Sequence, residues 1–210
     1  MITIHHLGVS QSDRIVWLME ELELPYKLVW HDRGEDMLAP ESYRALHPAG
    51  TAPIIEDGDT ILAESAAIVE YIIHRYGDGR LALAPQNAAF GEYLYWLHNA
   101  ASVQSMFFLR LARGSGSDSG VADVIIERRE NAYYQHMEEH LGQHEFLAGD
   151  QFTAADIMMV FNLTSLAQFG GRSVDDLPNI LAYIDRICAR PAYQKAMAIA
   201  GPAAQKPADA

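Results

Sequence analysis

The feature that most constrains this chain is a change of period near residue 80. Before it, short strand-prone runs alternate with helix-spaced ones. ITIHHL at 2–7 is β-prone, and Ile15, Leu18, Met19 and Leu22 then recur at intervals of three and four until Pro25. Residues 26–30 look like a second strand. One or two helical turns fit 40–46, and HPAGTAP makes a rigid loop. Pro53-Ile54-Ile55, the turn at 56–59 and Thr60-Ile61-Leu62 read as a hairpin. Ile68, Val69, Ile72 and Ile73 then form one face of a helix closed by Gly77. The order is β-α-β, a connecting segment, then β-β-α.

After Gly77 the pattern is helical almost throughout. The expected organisation is an α/β domain over 1–78, a Gly- and Pro-containing linker over 79–86, an all-helical domain over 87–200 and a loose tail over 201–210. Helices are expected over 87–113 and 121–142, after Thr153, after Pro178 and from Pro191, with a flexible Gly/Ser break at 114–120. There is no internal repeat.

Twenty-eight acidic against 15 basic residues give a formal charge of -13. Such a surface repels phosphate backbones and anionic lipid, which argues against nucleic-acid or membrane binding. Cys188, the single cysteine, has no partner for an internal disulfide, which points to a reducing, cytoplasmic setting. The opening residues do not read as a secretory signal, and the apolar run at 157–163 is far too short to cross a bilayer. Paired Cys-x-x-Cys, His-Glu-x-x-His, P-loop and Gly-x-Gly-x-x-Gly patterns are all missing, so no metal or resident cofactor is expected.

Thr153-Ala154-Ala155-Asp156 is a helix start: the threonine caps, Asp156 reaches back to the cap amide, and Phe152 staples against Ile157. This is structure rather than chemistry. Three other places suit a ligand. Ser10-Gln11-Ser12 lies between the first strand and first helix, where a hydroxyl beside unpaired helix-start amides favours a developing anion. A cis bond at Ala52-Pro53 would turn the chain and present backbone groups. Glu64 and Ser65 open the next helix, where a carboxylate can bind the amides and serine while Glu64 takes an ammonium. Together they suit a small zwitterion with its reactive atom near Ser10. His5 and His6 are expected to be strand-end or surface residues, His98 an ordinary helix histidine and Cys188 a small core residue.

At these residues the chain resembles the soluble glutathione transferase family. IHHLGVSQSDRIVWLMEELELPYKL, HPAGTAPIIEDGDTILAESAAIVEYI and FLAGDQFTAADIMM carry the resemblance, which covers essentially residues 1–200. It implies a thioredoxin-like glutathione-binding domain followed by an all-α domain, glutathione as cosubstrate, and a two-fold homodimer. Pro53 takes the role of the cis-proline, Ala52 offers backbone bonds to the cysteinyl portion, and Glu64 with Ser65 binds the γ-glutamyl end. Ser10 matches the serine that donates to the thiolate in serine-type members, with Ser12 or a backbone amide as alternatives. Asn99, Ser102, Met106 and Phe107, on the first long helix of the helical half, are candidates for a site that takes a small hydrophobic electrophile. The implied reaction is thiol attack on that electrophile, with peroxide reduction by the same thiol. Glutathione-dependent isomerisation or dehalogenation, or a non-catalytic binding module of this fold, are the alternatives.

Overall fold

The computed structural model describes residues 1–113, 120–170 and 172–207. The elements in chain order are β1 (Ile2–Leu7), α1 (Asp13–Glu21), β2 (Tyr26–His31), α2 (Glu41–Arg44), β3 (Ile54–Asp57), β4 (Thr60–Ala63), α3 (Ser65–Tyr76), α4 (Phe90–Arg113), α5 (Val121–Leu141), α6 (Ala154–Leu163), α7 (Pro178–Cys188) and α8 (Pro191–Ala200), with a 3₁₀ turn at Ala167–Phe169. A mixed α/β domain is followed by an all-α domain, as the period change implied, and the first has the thioredoxin-like form that the resemblance implied. Of the flexible break expected at 114–120, all but Gly120 lies outside the described residues, as does the end of the tail at 208–210.

The chain divides into two compact units, Met1–Ala82 with Cys188–Ala210, and Leu83–Ile187. In the first, the sheet order is β2-β1-β3-β4, with β1 parallel to β2 and antiparallel to β3, and β3 antiparallel to β4. The parallel β1–β2 pair needs a crossover, and α1 supplies it. Ile4, Ile15, Leu18, Ile55, Ile68, Val69, Ile72 and Ile73 are fully buried at the heart of this unit.

The grouping departs from the expected boundaries, which ran the helical domain to residue 200. α8 packs on α1 instead. Tyr193 meets Trp17 edge-on at 5.0 Å, and Arg190 grips Glu21 with two bonds of 2.7 Å. This explains why Val16 and Trp17 are buried along with the helix face read from spacing. α1 is covered on both sides. The tail is also tethered before it leaves the described residues, with Lys206 Nζ 3.1 Å from Asp32 Oδ2. Cys188, expected in the core, is only half-buried.

In the second unit, α6 is buried along its whole length. The cap expected at its start is present: Ala155 N donates to Thr153 Oγ1 at 3.3 Å and Thr153 N donates to Asp156 Oδ2 at 2.8 Å. Asp156 Oδ1 also accepts from Leu147 N at 3.0 Å and from the Tyr183 hydroxyl at 2.9 Å, tying the α6 start to α7. Phe152 and Ile157 are both buried, as a staple requires.

Candidate active site

Sheet register assembles the amino-terminal candidates. His5 lies opposite Ile54, and Ile54 opposite Ala63. The next residue on each strand falls at the same end of the sheet, so His6, Pro53 and Glu64 converge there. Ser10 and Ser12 follow directly from the end of β1 in the connection to α1. The Ala52-Pro53 bond is cis, and Ala52 packs on the cluster of Leu7, Tyr43, Ile54 and Ala63. Ser65 Oγ donates to Gln11 Oε1 at 3.2 Å, which joins the start of α3 to the loop that carries both serines.

The connection after β1 is held hard. Arg33 Nε donates to Gly8 O at 2.7 Å and its Nη2 to Val9 O at 2.8 Å. Val9 sits at φ 53, a left-handed conformation that a β-branched residue rarely adopts. Glu64 is similarly strained, at φ 74 and ψ 115. Glu23, Met37, Asp78 and Leu81 share the positive φ, but Val9 and Glu64 are the two that adjoin the serine loop and the α3 start.

Within this frame Ser10 Oγ donates to Leu7 O at 2.6 Å and lies 2.7 Å from Ser12 Oγ. Ser12 Oγ lies 2.8 Å from His6 Nδ1. Ser12 occupies the position before α1, yet its hydroxyl makes no cap bond. It is fully buried, and both its contacts are internal, whereas Ser10 at 9% exposure still reaches the surface. Of the two sequence candidates for meeting sulfur, Ser12 is therefore turned inward.

His6 stands near the end of β1, as expected, but not on the surface: it is fully buried, with Trp30 edge-on at 4.4 Å. His5 is buried as well, 3.0 Å from His31 Nε2 and 3.3 Å from Glu56 Oε1. Burial, then the nearby charges of His31 and Arg33, push the His6 pKa down to about 4, so its ring is neutral at physiological pH. The signal was present in the strand: Ile2, Ile4 and His6 share a face by the period of two. His98 is exposed on its helix, as expected.

The other candidates lie on α4, in the helical unit. Asn99 is buried with its Oδ1 lacking a hydrogen-bond partner, and Ser102 is half-buried. Met106 and Phe107 are buried, and Phe107 packs with Phe161 and Leu166 in a core cluster of this unit. That packing gives Phe107 a structural role which the sequence did not distinguish from pocket lining. Among the described residues, no three His, Cys, Asp or Glu side chains group to hold a metal ion.

Comparison with known proteins bears on what such a site does. Residues 5–80 match the model for the glutathione S-transferase N-terminal domain, and 122–191 that for the C-terminal domain. Glutathione S-transferase 3 of Schizosaccharomyces pombe is 31% identical, the alignment covering 91% of this chain and 85% of that protein. This chain belongs to the glutathione transferase family. Glutathione S-transferase 3 of Zea mays is 30% identical over 88% of this chain and 87% of its own. A glutathione S-transferase structure from Actinobacillus pleuropneumoniae superposes with a TM-score of 0.87 at 37% identity, covering 95% of this chain and 93% of that one. The theta-class enzyme of Xanthomonas axonopodis, solved with glutathione bound, gives 0.69 at 26% identity over 95% and 98%. The chain is thus an enzyme of this family, a glutathione transferase for which glutathione is a cosubstrate rather than a resident cofactor.

Proposed function

We propose that this enzyme is a serine-type transferase in which the Ser10 hydroxyl donates a hydrogen bond to the glutathione thiolate. What supports the reading is that Ser10 follows β1 in the loop whose Gln11 is bonded to Ser65 at the α3 start, and that it keeps more exposure than fully buried Ser12. Glutathione supplies the nucleophile. Its thiol, with an ordinary pKa of about 8.5, is only slightly ionised at neutral pH. Lowering that value by one unit takes about 1.4 kcal/mol, within reach of one charge-assisted hydrogen bond.

Ala52 offers backbone bonds to the cysteinyl portion. Glu64 and Ser65 hold the γ-glutamyl end: exposed Glu64 takes the ammonium, while Ser65 and the first-turn amides of α3 take the carboxylate. No side chain caps that helix, which supports this use. A small hydrophobic electrophile accepts the sulfur, with Asn99, Ser102, Met106 and Phe107 as the candidates on α4. Of these, half-buried Ser102 is the best placed to be reached from solvent.

The functional assembly in this reading is a homodimer. Phe108, Leu109, Val124 and Ile125 expose apolar surface on α4 and α5, more than isolated surface residues explain. The setting is cytoplasmic, where a lone Cys188 persists as a thiol. Among the described residues, no helix is long and apolar enough to cross a membrane. The test is conjugation of glutathione to a chlorinated nitroaromatic, parent against Ser10→Ala. A parent enzyme that binds glutathione but conjugates neither this nor a panel of further electrophiles refutes the proposal.

A further inference from the structure

We propose that His6 and Ser12 are positioning residues that feed a one-way hydrogen-bond chain into Ser10. The inference rests on the reading that Ser10 meets the thiolate, but its geometry stands in the free protein. Leu7 O can only accept, so the single Ser10 proton is spent on it at 2.6 Å. The 2.7 Å contact between the serines is then a donation from Ser12 to Ser10. The Ser12 proton is now spent too, so the 2.8 Å contact with His6 is Nδ1–H donating to Ser12. Proton count alone fixes the imidazole as the Nδ1–H tautomer. It leaves Nε2 as a bare lone pair, and that atom is buried without a hydrogen-bond partner.

Two further observations show that the chain is built rather than incidental. The Ser12 hydroxyl makes no helix-cap bond and is held between Ser10 and His6 instead. Trp30 packs edge-on against His6 at 4.4 Å and fixes the ring plane. Ser10 Oγ thus accepts from Ser12 Oγ and, at 3.3 Å, from Ser12 N. An oxygen that accepts donors is itself a stronger donor, since aligned hydrogen bonds polarise one another. When sulfur arrives, the Ser10 proton needs only to swing from Leu7 O to the thiolate. No proton leaves the chain and no bond to carbon is made within it. His6 acts throughout as a neutral donor, a role for which its depressed pKa suits it.

The first experiment is ¹⁵N NMR of the His6 ring in the free enzyme. The expected pattern is a protonated Nδ1 with a bare Nε2, unchanged from pH 6 to 8; the opposite tautomer overturns the chain. The second is ultraviolet titration of the bound glutathione thiol. Ser12→Ala is expected to raise its pKa by about 0.5 unit, a threefold loss of thiolate near neutrality, with glutathione affinity held within about twofold. His6→Phe, which keeps an aromatic ring against Trp30, should do the same, and His6→Asn, whose amide can put a donor at the Nδ1 position, should restore it. In a Ser10→Ala background, Ser12→Ala should add nothing. If Ser10→Ala raises the thiol pKa but Ser12→Ala does not, the relay is wrong and the role of Ser10 survives. If Ser10→Ala leaves the pKa unmoved, that role fails and the relay with it.

Discussion

Asp156 carries an electrostatic signature that can be worked from its partners. Its carboxyl is fully buried and accepts from Leu147 N, Thr153 N, the Thr153 hydroxyl and the Tyr183 hydroxyl. Burial nevertheless outweighs these four donors and raises its pKa from 3.8 to about 6. Between those values the folded state holds more protons than the unfolded chain. The stabilising contribution is therefore full below about pH 4 and lost as pH rises through 6, in all about 3 kcal/mol for a shift of some two units. His6 works the other way. Its folded pKa near 4 lies below the usual 6.5, so its contribution is present above pH 6.5 and lost as pH falls towards 4. The two slopes oppose each other in the parent enzyme, and only a difference measurement separates them. Asp156→Asn keeps the volume but cannot titrate. It also turns an amide donor towards hydrogen-bond donors, at a cost of about 2 kcal/mol. Urea unfolding of parent and variant at pH 4, 5, 6 and 7 reads the result. The parent should exceed the variant most at pH 4, with the gap shrinking by pH 7. A constant gap across that range refutes the assignment of the titration to Asp156.

Ser10→Ala should lower kcat at least tenfold while changing the KM for glutathione much less, because the lost bond is made to the charged sulfur; steady-state kinetics at fixed electrophile checks this. Glu64→Ala with Ser65→Ala should weaken glutathione binding at least tenfold by calorimetry, and unchanged affinity moves the γ-glutamyl end elsewhere. Light scattering at physiological salt should give twice the 23.3 kDa chain mass, and a steady monomer across micromolar concentrations defeats the dimer.

Most of the fold was legible because its two halves obey different periods, and each period follows from one kind of burial. The central strand shows where that reading stopped. β1 is an interior strand, flanked by β2 and β3, and His5 and His6 are buried on its opposite faces. Both do stand at the end of the strand, but neither is at the surface, and the alternation Ile2, Ile4, His6 already put one of them inside. α1 failed in a related way. Ile15, Leu18, Met19 and Leu22 mark the face a single partner would cover, and Val16 and Trp17 become core only because α8 returns from far along the chain. Local spacing cannot register a partner some 175 residues away. Arg33 had no motif at all: its role depends on reaching two carbonyls of the connection after β1, a contact that tertiary structure alone creates.

Two helix starts in this one chain bear on the binding role proposed for Glu64 and Ser65. α6 is closed by Thr153 and Asp156, which satisfy its first amides and each other. α3 has a serine within one residue of its start and uses it differently: Ser65 is already helical, its hydroxyl goes to Gln11, and strained Glu64 stands in the cap position with no side-chain cap bond. Forgoing a cap costs about 1 kcal/mol, and a non-glycine residue in so sparse a conformation costs about 1–3 kcal/mol more. Shifting the serine back by one residue would relieve the first cost, and a glycine at 64 the second. Side-chain caps are missing at α1, α2, α5 and α8 as well, so what sets the α3 start apart is strained Glu64; in the function proposed above, an external carboxylate would meet Ser65 and the first-turn amides there, with exposed Glu64 beside it for the ammonium. Of the six described non-glycine residues at positive φ in this unit, Val9 adjoins Ser10 in sequence and Glu64 falls at the strand end next to Pro53, while Glu23, Met37, Asp78 and Leu81 lie elsewhere in the chain.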